Sequence, residues 1–186
     1  MFKEKSNLIL NEITGVLSQV NEEDVNRFID LFEHHPTSHI VIAGAGRMGY
    51  AAKGFAMRLG HLGYQAWVLG DSTVPHIGTG DLLIVTSGSG NTQTIYDVSK
   101  RAKENGANIA LITNNPNSRI GELASTILVL PNDSNKSSTT QRISQQPMTT
   151  LNEQCLALLL DSIVLMIMDE TGETHESMWA RHSNLE

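Results

Sequence analysis

The feature that most constrains the fold is an alternation of short apolar runs with helical patterns through the middle of the chain. The helical patterns cover Met48–Leu62 and Thr92–Asn105, with a shorter one near Ile120–Ala124. Strands that alternate with helices predict an α/β fold in which a doubly wound parallel sheet carries helices on both faces. Such strands are nearly continuous in apolar character because both of their faces are covered. The predicted strands are His39–Ala43, Ala66–Leu69, Leu82–Thr86, Ile109–Thr113 and Ile127–Leu130.

Helical patterns also flank this alternating region. Residues 1–33 carry apolar side chains at helical spacing with a break near Asn21, and Pro36 ends that section because a residue before proline is pushed out of the α region. A Ser-, Thr- and Asn-rich loop at Pro131–Gln146 leads into a long helix, roughly Pro147–Glu170. We expect one domain over residues 1–186, with N-terminal helices in 1–35, an α/β core in 38–130, and a C-terminal helix and tail in 147–186.

The composition is that of a globular protein and argues against several partners. The chain is 40% hydrophobic and 18% charged, with a net charge of −7 and no basic stretch, which disfavours nucleic acid. The N-terminus lacks a signal-type apolar segment, and Asp161 and Ser162 interrupt the apolar stretch Leu156–Met168. We therefore expect a cytoplasmic protein with no membrane partner. Cys155 lies in an apolar run and is expected to be an inert buried thiol, and the histidines lack metal-type spacing, so no metal site is predicted.

The first strand-to-helix turn, at residues 43–49, has the spacing G-x-G-x-x-G through Gly44, Gly46 and Gly49. Dinucleotide-binding turns share this spacing, and their acidic partner about 20 residues further on is loosely matched by Asp71. A tight turn that needs glycine for its backbone geometry explains the motif equally well. Arg47, within the turn, could pair either with a phosphate or with a surface acid. The residues alone leave these alternatives open.

The second turn, at residues 86–92, combines glycines with hydroxyl and amide side chains. Glycine lets the backbone approach a ligand, and the following helix offers free N–H groups and a positive dipole end. The alternative is a simple helix cap by Asn91 or Thr92, but capping needs only one such residue. The repetition favours a phosphate site, and the absence of a P-loop lysine disfavours triphosphate hydrolysis. The predicted phosphate-binding residues are Ser87, Gly88, Ser89, Gly90, Asn91 and Thr92.

Together with the last long helix, these two turns resemble the sugar isomerase (SIS) domain. The segment Phe55–Gly63, the sequence Gln146-Pro147-Met148 followed by Glu153-Gln154, and the tail Arg181–Glu186 are similar to 6-phospho-3-hexuloisomerases in particular. The similarity runs over essentially the whole chain. The Ser-Gly-Ser-Gly loop is general to SIS domains, whereas the tail and the Gln-Pro-Met segment are more specific.

This resemblance implies a three-layer fold, with a five-stranded parallel sheet flanked by helices, in a homotetramer of paired dimers. It implies conversion of arabino-hex-3-ulose 6-phosphate to fructose 6-phosphate, a step of formaldehyde assimilation by the ribulose monophosphate pathway, with no cofactor. By matched position it implies that residues 87–92 bind the phosphate and that Gly46, Arg47 and Met48 lie at the substrate. It further implies that Glu153 is the proton-transferring base and that His182 reaches the site from a neighbouring subunit.

The sequence departs from the family pattern at several positions, among them the Thr149 that stands for a glycine four residues before Glu153. Met48 stands where the family has a serine that touches the substrate. Asn152 replaces a phenylalanine directly before Glu153, and Gly60 stands where methionine is usual. The base is kept while its surroundings change, so these departures bear on the choice of substrate rather than on the type of reaction.

Glu153 also stands out chemically. Moving a ketone from C3 to C2 requires removal of the C2 proton and delivery of a proton to C3 through an enediolate, which one general base can do. The same residue fits a structural role, because Thr150-Leu151-Asn152-Glu153 spells a capping box. Pro147 competes as the first helical residue and would place Glu153 in the second turn. Donors proposed for the enediolate oxygen are His182, His61 and backbone N–H groups, although His61 suits a packing role equally well.

Three functions remain open from the sequence. The first is the isomerase, acting on this hexulose phosphate or on a different ketose or aldose phosphate. The second is a sugar-phosphate sensor without catalysis, suggested by Met48 and Asn152. The third is a dinucleotide-binding protein that uses the first turn.

Overall fold

The computed structural model describes residues 1–34, 38–131 and 144–185. In these ranges the helices and strands follow one another as α1 (Phe2–Leu17), α2 (Glu22–His34), β1 (Ile40–Gly44), α3 (Gly46–His61), β2 (Ala66–Val68), β3 (Leu82–Thr86), α4 (Gln93–Glu104), β4 (Asn108–Thr113), β5 (Thr126–Val129), α5 (Thr150–Thr171) and α6 (His175–Trp179). The five strands form one sheet in the order β2-β1-β3-β4-β5, and every neighbouring pair is parallel. The predicted α/β fold with a five-stranded parallel sheet is confirmed.

Alternate residues of each central strand point into two separate cores. Ile40, Ile42 and Ile84 lie in the core shared with α1, α2, α3 and α5, whereas Val41 and Val85 lie in the core under α4. All residues of β3 are buried, as expected for a strand covered on both faces. This explains why the β3 sequence is continuously apolar rather than alternating.

Helix α5 lies in the larger core. Its 22 residues extend beyond the interrupted stretch Leu156–Met168 and are long and apolar enough to cross a membrane by length and composition. Cys155, Leu156, Leu160 and Ile163 are nevertheless at most 1% exposed, and the helix packs on α1 and α3. In this fold the apolar face of α5 is covered by protein.

Most predicted boundaries lie within two residues of the observed ones, and two predictions differ by more. Residues 120–124 form turns rather than a short helix, since Leu123 and Ala124 donate back to Ile120 and no further turn follows. Helix α5 begins at Thr150 rather than Pro147, because Met148 has a φ of 57°, in the left-handed region. Of the predicted loop at residues 131–146, positions 132–143 lie outside the described residues, as do His35 and Pro36.

Candidate active site

The two glycine-containing turns, at residues 43–49 and 86–92, lie side by side at the carboxyl edge of the sheet. Strands β1 and β3 are neighbours, and Gly44 at the end of β1 is paired in register with Thr86 at the end of β3. The residues that follow each strand therefore emerge next to each other. This edge is where open parallel sheets bind ligands.

In the first turn, close packing accounts for Gly44 and Gly49, and backbone conformation accounts for Gly46. A Cβ at Gly44 would stand 2.3 Å from Thr86 Oγ1, and a Cβ at Gly49 would stand 2.6 Å from the Gly44 carbonyl oxygen. Gly46 has a φ of 60°, which disfavours other residues. The motif lets α3 begin directly against β1. This geometry supports the tight-turn interpretation without requiring a dinucleotide.

The second turn leaves the start of α4 without a side-chain cap. Thr92 is the N-cap residue, but its hydroxyl lies 3.3 Å from Ser87 Oγ and makes no capping bond. The Asn91 side chain is also engaged elsewhere, because its Oδ1 accepts from the Arg119 N–H and its Nδ2 donates to the Ser89 carbonyl. The simple capping alternative is therefore wrong for both residues. The N–H groups of Gln93 and Thr94 stay available to an anion, whereas that of Ile95 donates to the Thr92 carbonyl.

The loop itself is fixed by close contacts at its glycines. Gly90 has a φ of 63°, and a Cβ there would lie 1.9 Å from Ser118 Oγ. The carbonyl of Gly88 accepts from the Asn114 N–H and from Thr113 Oγ1, both at 3.1 Å. Ser87 is 3% exposed. A loop held in this way is preorganised, so a bound phosphate would not have to order it.

Glu153 lies in the first turn of α5, with one oxygen satisfied and the other not. Thr149 Oγ1 donates to Glu153 Oε1 at 2.8 Å. Oε2 is buried and accepts no hydrogen bond within the described residues, although Arg47 Nη1 lies 3.1 Å away. Because that contact is an ion pair without hydrogen-bond alignment, Oε2 keeps lone pairs that can accept a proton.

The predicted capping box at Thr150 does not form. The N-cap is Thr149, and Glu153 receives the Thr149 hydroxyl rather than reaching back to a backbone N–H. The second-turn placement expected from Pro147 is also wrong, because the helix starts three residues later. Glu153 is thus a first-turn residue whose carboxylate faces the guanidinium of Arg47.

Arg47 links the first turn to the start of α5. Its Nη1 donates to Thr150 Oγ1 at 3.1 Å and is the atom that contacts Glu153, while the side chain is 58% exposed. The guanidinium has five N–H donors, so donors remain for a ligand. The sequence left open whether Arg47 pairs with a phosphate or with a surface acid. Its carboxylate partner in the structure is Glu153, which is largely buried at the candidate site.

Asn114 and Asn152 complete the floor of the site. Asn152 is 2% exposed, and the two side-chain amides exchange hydrogen bonds of 2.7 and 2.5 Å. A Cβ at Gly88 would lie 3.0 Å from Asn152 Nδ2, 3.1 Å from Asn114 Oδ1 and 3.5 Å from Met48 Sδ. In the sequence, Asn152 is evident only as a departure from the family pattern, and Asn114 was not predicted, although its place directly after β4 was the available signal.

His61 and His182 lie at the other end of α3. Their rings are 5.2 Å apart, and the ring of Trp179 stacks on His182 at 5.0 Å. The fourteen-residue separation from Arg47 to His61 corresponds to about 21 Å along the helix axis. The described chain therefore brings Arg47, Met48, the 87–92 loop and Glu153 together, and it holds the two histidines apart from them.

The remaining chemical groups do not add to this site. Burial, with a smaller contribution from the charge of Glu12, raises the pKa of the Cys155 thiol to about 11, as expected for an unreactive cysteine. Among residues 1–34, 38–131 and 144–185, no group of three His, Cys, Asp or Glu side chains is placed to hold a metal ion.

Known proteins match both the sequence and the fold. A sequence profile of the SIS domain matches residues 35–160. The 3-hexulose-6-phosphate isomerase of Bacillus subtilis is 38% identical over 179 residues, covering 96% of this chain and 95% of that protein. The enzyme of the same name from Mycobacterium gastri is 35% identical, with 96% and 88% covered.

A solved structure agrees with these matches. The crystal structure of the hypothetical protein MJ1247 from Methanococcus jannaschii, for which a molecular function of 3-hexulose-6-phosphate isomerase has been inferred, superposes with a TM-score of 0.83. The identity is 30%, and the match covers 98% of this chain and 99% of that one. The similarity thus runs through the sheet, both turns and α5. The chain belongs to the SIS-domain family and, within it, to the 3-hexulose-6-phosphate isomerases.

Proposed function

We propose that this protein converts D-arabino-hex-3-ulose 6-phosphate into fructose 6-phosphate. Two relatives that match this chain over most of their length carry the name of this isomerase. The observation that supports the reaction most directly is the buried Glu153 Oε2, which has no hydrogen bond within the described residues and lies beside Arg47. A carboxylate oxygen in that state is suited to accept a carbon-bound proton.

The 87–92 loop binds the phosphate in this proposal. Ser87, Ser89 and Thr92 supply hydroxyl donors, and the uncapped start of α4 supplies N–H groups and a positive dipole end. The dianion fixes one end of the sugar, so that C2 and C3 lie within reach of Glu153. Positioning of this kind contributes a large part of an enzyme's rate enhancement.

Glu153 then carries the proton between adjacent carbons. Its carboxylate takes the C2 proton, the electron pair forms the C2=C3 bond of an enediolate, and the C3 carbonyl oxygen takes up the negative charge. The O2 proton passes to O3, and return of the proton from Glu153 to C3 then leaves a hydroxyl group at C3 and the ketone at C2. Because C2 is oxidised while C3 is reduced within the same molecule, no redox cofactor takes part.

The enediolate oxygens need hydrogen-bond donors. Arg47 is one candidate, since its exposed guanidinium adjoins Glu153. His182 is the second, from a neighbouring subunit of a homotetramer, because within its own chain it packs against His61 about 21 Å along α3 from Arg47. We further propose that the enzyme acts in the cytoplasm, in formaldehyde assimilation by the ribulose monophosphate pathway.

The proposal is tested by incubating the purified protein with a panel of ketose and aldose 6-phosphates and identifying each product. We expect turnover of the 3-hexulose 6-phosphate and, in deuterated water, exchange of deuterium into C2 or C3 observed by NMR. Turnover of another sugar phosphate alone would overturn the substrate assignment. Saturable binding without exchange would indicate the sugar-phosphate sensor instead.

A further inference from the structure

A reciprocal pair of side-chain amides joins two elements that are far apart in the sequence. Asn114 follows β4, and Asn152 lies in the first turn of α5, directly before Glu153. Asn114 Nδ2 donates to Asn152 Oδ1 at 2.7 Å, and Asn152 Nδ2 donates to Asn114 Oδ1 at 2.5 Å. Each amide thus supplies both the donor and the acceptor that the other requires, which makes the pair specific in orientation.

The amide pair lies against the phosphate loop. The carbonyl of Gly88 accepts from the backbone N–H of Asn114 at 3.1 Å. A Cβ at Gly88 would approach Asn152 Nδ2 to 3.0 Å and Asn114 Oδ1 to 3.1 Å. The pair therefore contacts the loop that would bind the phosphate and, through the backbone of α5, the residue that would move the proton.

We infer that the Asn114–Asn152 pair sets the position of Glu153 relative to the 87–92 loop, and that both asparagines are positioning residues of the isomerase. This inference rests on the proposed function. The distance between the bound phosphate and the base decides which carbons of the sugar chain the base reaches. A link between the loop and the α5 backbone directly before Glu153 fixes that distance more directly than the apolar packing of α5 does.

Loss of either amide should reduce turnover more than substrate affinity. In Asn152→Leu or Asn114→Leu, the remaining amide loses the two hydrogen bonds of the pair, and the start of α5 shifts to restore its solvation. Misplacement of a catalytic group by about 1 Å costs on the order of 100-fold in rate. We expect kcat to fall by roughly that factor while KM changes by less than about threefold, since the phosphate loop is still present.

The double variant Asn114→Leu/Asn152→Leu separates a shared role from two independent ones. If the pair acts as a unit, the double variant loses no more activity than either single variant, because each single variant already removes both hydrogen bonds of the pair. Multiplication of the two single effects would contradict the inference. Asn105→Leu makes the same change at the exposed end of α4 and serves as the matched control, with wild-type kcat expected.

The outcomes also separate this inference from the proposed function. An active wild type whose single variants keep wild-type kcat would overturn the positioning role and leave the isomerase intact. A wild type without turnover of any hexulose 6-phosphate would remove both. If Asn152→Leu fails to fold in circular dichroism, Asn114→Ala breaks the same pair from its less buried side, and its kcat and deuterium exchange rate decide the question.

Discussion

The two ends of α3 carry different chemistry, although both were candidates for one site. At the N-terminal end, Arg47 faces a buried carboxylate beside a loop suited to an anion. At the C-terminal end, His61 packs in a set of rings with His182 and Trp179, and the Arg181 guanidinium donates to the His61 carbonyl. The first end holds charge ready for a ligand, whereas the second is largely satisfied by its own chain. Under the proposed function, one chain supplies the base and the phosphate loop, and His182 would reach the same site only from another copy.

The largest expected effect is at Glu153. Glu153→Gln keeps the shape and the contact with Thr149 but removes the proton acceptor, so kcat should fall on the order of 1,000-fold or more. Binding of the sugar phosphate, measured by calorimetry, should change little. Thr150→Val, which alters a neighbouring contact of Arg47 without touching the carboxylate, is the control. Turnover near that of the wild type in Glu153→Gln would remove this residue from the mechanism.

The second prediction tests whether the N-terminal end depends on the conformation of its loop. In Gly90→Ala the new Cβ meets Ser118 Oγ at 1.9 Å, and the φ of 63° is strained for alanine. We expect kcat/KM to fall by about 100-fold, mainly through KM, because the loop must move from its preorganised position.

Gly54→Ala is the matched glycine control for this variant. It adds a methyl group in the middle of α3, where nothing lies within 4 Å. The helix should be stabilised by about 0.5–1 kcal/mol with unchanged kinetics. Equal kinetics in Gly90→Ala and Gly54→Ala would show that the 87–92 loop does not hold the phosphate.

The sequence predicted the fold better than it predicted the site, and the reason lies in the range of the interactions. The strand runs are local and apolar, so Leu82–Thr86 was located to the residue. The start of α5 was not, because the left-handed Met148 precedes it. Asn114 and Asn152 are 38 positions apart, and only the sheet and the packing of α5 bring them together. Glu153 was predicted as the base from the chain's resemblance to the family, because its spacing alone suggested a capping box as readily as a catalytic role.

The third prediction concerns the C-terminal end of α3 and is smaller. His182→Ala should lower kcat by about tenfold if the ring donates to an enediolate oxygen in a neighbouring subunit. Coexpression of His182→Ala with Glu153→Gln should then yield mixed oligomers with more activity than either variant alone, because some sites combine both intact residues. His175→Ala removes a ring on the same stack, 6.2 Å from Trp179, and should leave kcat unchanged. Absence of complementation would confine His182 to packing.

The smallest effect is expected at Glu12 of α1, which holds the segment that precedes α5 and Glu153. Glu12 accepts from the Gln145 N–H at 2.8 Å, from Gln146 Nε2 at 2.9 Å and from Ser144 Oγ at 2.7 Å, and so fastens the segment that leads to α5. Burial alone would raise the pKa of Glu12, but these hydrogen bonds together lower it below its ordinary value. A depressed folded pKa stabilises the protein above the unfolded pKa of about 4.3 and ceases to do so as the pH falls through the folded value.

Glu12→Gln should therefore lower the free energy of unfolding by about 1 kcal/mol at pH 7, measured by urea titration. The gap from the wild type should narrow below about pH 4, because both side chains are then neutral. Glu4→Gln changes an exposed carboxylate on the same helix, 3.8 Å from Lys5, and should have no comparable effect. A difference in free energy of unfolding that stayed constant with pH would show that the charge of Glu12 is not what holds the segment. The position of the start of α5 relative to α1 would then depend on apolar packing between the two helices.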